Sequence, residues 1–258
     1  MIDYSISTLL ISLRPCLLAL TLLTGCGSPN RPAISPSGAI VPIGSSISAQ
    51  QSFSFEGRTF PYWVFTPSAF DAKRQLPAIL LLHGGGGQGL DMINVWQKFA
   101  DQTGIILVAP TLPYGNGYNE LSAGQFFPQL MDQVKTIWHF DGRHVLVFGV
   151  SAGGYSSYDA ATLASTYFTA AGVFAAVITP DYDFIVAKAQ RKTPVAIYIG
   201  DHDEFFTLTQ ARRTRDLLLA NGFPVHYTEF VSLDHNYGAV RERVNADFFS
   251  WASQFSLY

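Results

Sequence analysis

Residues 145–154 read VLVFGVSAGG, an apolar run that passes directly into a serine set between glycines. No other stretch constrains the fold as strongly. An apolar run with no polar alternation suits a strand covered on both faces, and such a strand needs a packed layer on each side of its sheet. The small residues that follow, YSSYDAATLA at 155–164, suit a buried helix. The local path is therefore strand, sharp turn, helix. The pattern G-x-S-x-G fits that path, because side chains at Gly149 or Gly153 would collide with the neighbouring strand and helix. Such a turn exposes Ser151 at the carboxyl end of the sheet. It also sets the serine beside the N–H groups and positive dipole end of the helix.

The same alternation recurs along the chain. Residues 52–66 alternate apolar and polar side chains around Glu56-Gly57-Arg58, as a hairpin does. Short apolar runs at 76–82, 105–109, 145–150, 173–178 and 194–199 read as buried strands, and 225–231 reads as the last core strand. Helical spacing appears at 91–103, at 123–138, at 208–220 before the Asn221-Gly222 stop, and from near 236 toward 255. Strands alternating with helices predict an α/β fold, a mostly parallel twisted sheet with helices on both faces. No long insertion separates the strands, so no large cap domain is expected.

The amino end belongs to a different regime. Residues 17–23 form a short apolar run behind Arg14-Pro15, too short to span a membrane, and LTGC follows at 23–26. Small residues before a cysteine mark a secretory cleavage point, and the pattern resembles the lipobox of bacterial lipoproteins. That resemblance implies cleavage before Cys26 and diacylation of it, with two acyl chains giving stable anchoring. The expected organisation is a signal peptide over 1–25, a lipidated Cys26 with a flexible Pro/Ser/Gly tether over 26–50, and a catalytic domain over 51–258. The expected location is the bacterial cell envelope, membrane-anchored, with soluble secretion as the alternative. Cys16 and Cys26 are the two cysteines, so the mature domain is expected to carry no disulfide.

A net charge of −3 with no Lys/Arg cluster argues against nucleic acid as a partner. No paired His/Cys spacing resembles a ligand set, so neither metal nor cofactor is expected. Nothing in the sequence fixes an oligomeric state.

Ser151 needs a base, an acid and an oxyanion site. In a sheet of this kind the triad runs Ser, then Asp or Glu, then His along the chain. His202, His226 and His235 lie downstream of Ser151. His226 sits inside a strand and His202 in a tight turn, whereas His235 follows the last core strand in LDHN, where a base must sit to reach the serine. The acid should follow the preceding strand, in GDHD at 200–203, with Asp203 first and Asp201 in reserve. Asp181 and Asp183 follow an earlier strand and are weaker candidates. The oxyanion donors should be the N–H of Ala152 and one from the HGGGG loop at 83–87, Gly85 first and Gly86 next. His83 itself reads as a structural histidine under that loop. Tyr114, Tyr118 and Tyr155 are candidate mouth residues.

The elbow GVSAGGY, the loop LLHGGGG, the turn GDHDEFF and the loop DHNYG, in this order, are similar to those of serine esterases of the α/β-hydrolase superfamily. They resemble poly(3-hydroxybutyrate) depolymerases and feruloyl or acetylxylan esterase-like hydrolases most. The first hairpin, from Gly57-Arg58 to Pro67, carries the resemblance too. The spacing from Gly200 to Asp203 matches the G-x-x-D acid turn of prolyl oligopeptidase-like relatives. The resemblance implies hydrolysis of a small or oligomeric carboxylic ester, of feruloyl, acetyl or hydroxyalkanoate type, through an acyl-enzyme. Two other readings compete. One is a small serine peptidase or amidase using the same groups. The other is a non-catalytic lipoprotein that reuses the fold for binding.

Overall fold

The computed structural model describes residues 46–71, 73–113 and 123–257. The expected signal peptide, Cys26, most of the tether, Tyr114 and Tyr118 lie outside these residues. Eight strands form one sheet: β1 (Ile47–Phe55), β2 (Arg58–Thr66), β3 (Ala78–Leu82), β4 (Ile106–Pro110), β5 (Val145–Val150), β6 (Ala170–Phe174), β7 (Val195–Gly200) and β8 (Val225–Phe230). Their spatial order is β1-β2-β4-β3-β5-β6-β7-β8. β1 pairs antiparallel with β2, and β2 with β4, while every other pairing is parallel. Among the described residues the α-helices are α1 (Gly89–Thr103), α2 (Ala123–Trp138), α3 (Ala152–Leu163), the short α4 (Phe184–Lys188), α5 (Leu208–Ala220) and α6 (Tyr237–Ala252).

The expected α/β layering is what the chain adopts. β3, β4, β6 and β7 are buried along their whole length, which is why they read as unbroken apolar runs. Met92, Ile93 and Trp96 of α1 and Val244 and Phe248 of α6 pack on one face. Phe126, Leu130 and Val134 of α2 pack with Tyr158 and Ala161 of α3 on the other. Phe126 reaches the hairpin, where its ring meets Phe53, Phe55 and Phe60 edge-on at 5.3, 5.2 and 5.0 Å. Such contacts add about 0.5–1.5 kcal/mol each beyond the burial itself.

Two expectations of extent change. β1 begins at Ile47, so residues 47–50 of the expected tether pair with Thr66–Trp63. Their place at the end of a Pro/Ser/Gly-rich stretch hid this, because an edge strand needs its backbone ladder more than its side chains. In the other direction, the apolar run at 173–178 is only partly strand. β6 starts earlier, at Ala170, and stops at Phe174. Ala175 then turns out of the sheet with φ 54°, and Val177 and Ile178 are buried in a loop. Apolarity there marks burial and not extension. Among the described residues no helix is long and apolar enough to cross a membrane.

Candidate active site

β5 runs along the middle of the sheet and ends at Val150, so the next residue emerges at the carboxyl edge between β3 and β6. Ser151 holds φ 53° and ψ −114°, a conformation that side-chain-bearing residues avoid. The surroundings hold it there. Its N–H donates to Phe174 O (2.9 Å), and its carbonyl accepts from Gly154 N–H (2.8 Å). The flanking glycines are required by approach. A Cβ on Gly149 would lie 2.0 Å from Gly153 O, and one on Gly153 would lie 2.2 Å from Leu82 O. The start of α3 is thus pressed against the ends of β3 and β5.

The loop after β3 lies against this turn. A Cβ on Gly84 would be 3.3 Å from Val150 O and 3.5 Å from Ser151 Cβ. His83 fixes the loop from beneath: Leu112 N–H donates to its Nε2 (3.0 Å), and its Nδ1 lies 2.8 Å from Gly84 O. An accepting Nε2 places the ring proton on Nδ1, which donates to Gly84 O. Burial holds the imidazole pKa below its ordinary value, against a smaller opposing pull from that carbonyl, so the ring is neutral. His83 is a structural histidine, as its place in the sequence implies. Gly85 and Gly86 are exposed, and their N–H groups meet no acceptor among the described residues. Ala152 is the first residue of α3, so its N–H has no partner within the helix. All three expected oxyanion donors are therefore unspent.

Asp203 and His235 come together at the far side. Asp203 Oδ2 lies 2.7 Å from His235 Nδ1, and the aspartate side chain is fully buried. Its other oxygen accepts from Phe205 N–H (3.0 Å) and Phe206 N–H (2.9 Å). The carboxylate is thus locked before it meets the ring. Two further bonds join the loops that carry these residues: Asp201 N–H to Phe230 O (2.9 Å) and His202 N–H to Leu233 O (2.9 Å). The approach depends on Gly200, where a Cβ would sit 2.0 Å from Leu233 O. Asp201 and His202 point to solvent, and Asp201 makes no side-chain hydrogen bond to a described residue. Asp183 pairs with Arg213. His226 Nε2 lies 2.7 Å from Asp247 Oδ2 and its ring stacks on Trp251, a structural setting.

Ser151 and His235 share this end of the sheet without a hydrogen bond between them. Ser151 Oγ bonds to no described residue. A chain of rings connects the two. Tyr155, one turn beyond Ser151, meets Phe206 edge-on at 5.9 Å, and Phe206 lies 5.9 Å from the His235 ring. Phe205 sits edge-on to His235 at 4.7 Å yet is 66% exposed, and Tyr155 is 38% exposed. Burial, and then the charge of Asp181, push the Tyr155 hydroxyl above its ordinary pKa. Glu204, Phe205 and Phe206 escaped the sequence reasoning. Their signal was their place directly after Asp203 in the turn DEFF.

Among the described residues no three His, Cys, Asp or Glu side chains gather as metal ligands. A cleft of about 440 Å³ lined by Gln75, Asp132, Lys135 and Arg143 opens at the start of β3 and β5, the end of the sheet opposite Ser151.

No family model matches the chain. Two proteins are similar in sequence. A bifunctional acetylxylan esterase/xylanase of Neocallimastix patriciarum is 27% identical over 197 residues, which is 73% of this chain and 27% of that protein. Dipeptidyl-peptidase 5 of Porphyromonas gingivalis is 28% identical over 117 residues, 40% of this chain and 17% of that protein. The chain thus spans about a quarter or less of the length of these relatives. Among solved structures, the S-formylglutathione hydrolase of Agrobacterium tumefaciens superposes with a TM-score of 0.67 at 16% identity, over 83% of this chain and 96% of that one. The chain has the α/β-hydrolase fold.

Proposed function

We propose that this chain is a serine hydrolase that cleaves carboxylic esters through an acyl-enzyme. The observation that carries the reading is the Asp203–His235 pair, 2.7 Å apart, its carboxylate buried and locked by two amides, at the same sheet edge as the strained Ser151. In the reaction, Ser151 Oγ attacks the ester carbonyl and its proton passes to His235 Nε2. Asp203 holds Nδ1–H, which fixes the tautomer and stabilises the imidazolium. The tetrahedral oxyanion takes hydrogen bonds from Ala152 N–H and Gly85 N–H, with Gly86 beside them. As the carbon–oxygen bond to the alcohol breaks, His235 returns the proton to the leaving oxygen. Water then repeats the sequence on acyl-Ser151 and releases the acid. The missing Ser151–His235 hydrogen bond is no obstacle, because such bonds commonly tighten only with substrate in place.

The substrate we propose is a small or oligomeric ester of feruloyl, acetyl or hydroxyalkanoate type. The exposed rings of Phe205 and Tyr155 support it, as does similarity to an acetylxylan esterase. We also propose that Cys26 carries the lipid that tethers the domain to a membrane. Incorporation of labelled palmitate, abolished in Cys26→Ser, tests this. A peptidase or amidase reading stays in view, since 40% of the chain is similar to a dipeptidyl-peptidase. The test is hydrolysis of aryl acetate, aryl butyrate, a ferulate ester and dipeptide anilides, beside Ser151→Ala. Ester turnover lost in the variant supports the proposal. Equal activity in both proteins would falsify the mechanism, and turnover confined to the anilides would replace the esterase reading.

A further inference from the structure

His235, in the loop after β8, is held at two points, and only one of them is its ring. Its main-chain N–H donates to Glu204 Oε2 at 3.2 Å. This N–H has no intrahelical use, because α6 begins only at Tyr237 with Asn236 as its cap. Among the described residues no other acceptor reaches it. Glu204 in turn makes no other side-chain bond to a described residue. Consecutive carboxylates, Asp203 and Glu204, thus grip one histidine, the first by its ring and the second by its backbone.

We infer that Glu204 is a positioning residue that sets the main chain of His235 so that its imidazole meets Ser151. This rests on the reading of Ser151, His235 and Asp203 as a catalytic triad. The reasoning is geometric. A single bond from Asp203 to Nδ1 fixes the distance of the ring but lets residue 235 rotate about that bond, which swings Nε2 away from the serine. A second bond to the backbone of the same residue removes the rotation. The flanking backbone is anchored two residues away, where Leu233 O accepts from His202 N–H, but it gives residue 235 no bond of its own: Ser232 holds φ 56°, and residues 234 and 236 on either side are exposed. The acceptor has to come from the loop opposite, and position 204 is the one that supplies it.

The experiment compares Glu204→Ala and Glu204→Gln with the parent chain on a soluble aryl acetate. Glutamine keeps an oxygen that accepts the same N–H, while alanine removes it. Misplacing a catalytic group by about 1 Å costs up to roughly a hundredfold, so a loosened group should cost about tenfold. The expected result is a kcat for Glu204→Ala lowered about tenfold with KM within about twofold, and a kcat for Glu204→Gln at least half that of the parent. Amide hydrogen exchange at His235, read by NMR, should quicken in the alanine variant and stay slow in the glutamine variant. That readout needs no catalysis. Unchanged exchange in Glu204→Ala, unchanged kcat, or a loss in Glu204→Gln equal to that in the alanine variant each overturn the inference. Full activity of Ser151→Ala beside them overturns the triad reading instead, and leaves the exchange result to stand alone.

Discussion

Gly200→Ala tests how the site is assembled without touching any group that does chemistry. The loop after β7 delivers Asp203, the loop after β8 delivers His235, and the two meet at Gly200. A Cβ there would lie 2.0 Å from Leu233 O, 2.7 Å from Leu233 C and 3.0 Å from Asp234 O. All three are backbone atoms, so no change of rotamer relieves the clash. An ordinary carbon–oxygen contact is about 3.4 Å, so the loops must part by roughly 1.4 Å along the line of the clash. The bonds that span the junction have no such slack, with His202 N–H to Leu233 O at 2.9 Å and Asp203 Oδ2 to His235 Nδ1 at 2.7 Å. Stretched by that amount, neither is a hydrogen bond. Overpacking of this kind costs about 1–3 kcal/mol, within the 5–15 kcal/mol of a typical domain. The expected protein is folded, melts roughly 2–10 °C lower, and has kcat/KM reduced about a hundredfold. Initial rates on an aryl acetate, with thermal melting beside them, give both numbers. Activity within threefold of the parent would mean that the two loops do not set the geometry, and the reasoning would fail.

Three further outcomes are expected. Asp203→Asn should lower kcat by about 10³–10⁴, because an amide favours the wrong imidazole tautomer, while Asp201→Asn should stay within about twofold; equal losses would reverse the choice of acid. Burial pushes the Asp159 carboxyl up to about 6, against about 3.9 unfolded, so the folded state binds its proton more tightly. The Asp159 contribution to stability then falls as pH rises from about 4 to about 6 and stays low above it, so Asp159→Asn should lose about 1–2 kcal/mol less than the parent over that range. Thermal melts of both proteins at pH 4 and pH 7 check this, and parallel shifts would contradict it. Ser157 Oγ is buried under the elbow with no partner among the described residues. Ser157→Ala should therefore raise urea-unfolding stability by about 1 kcal/mol, and a loss of that size would show that the hydroxyl is satisfied.

The sequence was most legible where burial is two-sided. The spans at 145–150, 123–138 and 208–220 match the elements residue for residue, because a core strand or an amphipathic helix leaves little freedom for its pattern. It was least legible where main chain decides. Ile47–Gln50 joined the sheet through backbone pairing that serine and glutamine do not advertise. The run at 173–178 lost its second half to Ala175, whose left-handed turn no propensity foretells. For the candidate site, strand order brought Ser151, Asp203 and His235 into view, but it could not separate Asp203 from Asp201. That distinction lies in the Asp203 side chain, which points inward onto two amides and the ring, while Asp201 faces water. Glu204 was invisible for a related reason, since a side chain that serves a main-chain N–H on another loop leaves no pattern in its own.

The proposed pairing of Ser151 with His235 also gives a reason for the early end of β6. Ser151 leaves β5, while Asp203 and His235 leave β7 and β8, two and three places along the sheet. At about 4.8 Å per strand, His235 starts roughly 14 Å from the serine and must cross above β6 and β7 to approach it. His235 lies five residues past Phe230, the end of β8, enough extended chain to cover that distance. The crossing also needs open space over β6. The chain opens it by turning away at Ala175, immediately after Phe174 O has accepted the Ser151 N–H. One short strand therefore does two jobs. Its last carbonyl holds the strained serine in place, and its early exit leaves the space that the proposed approach of His235 to Ser151 requires.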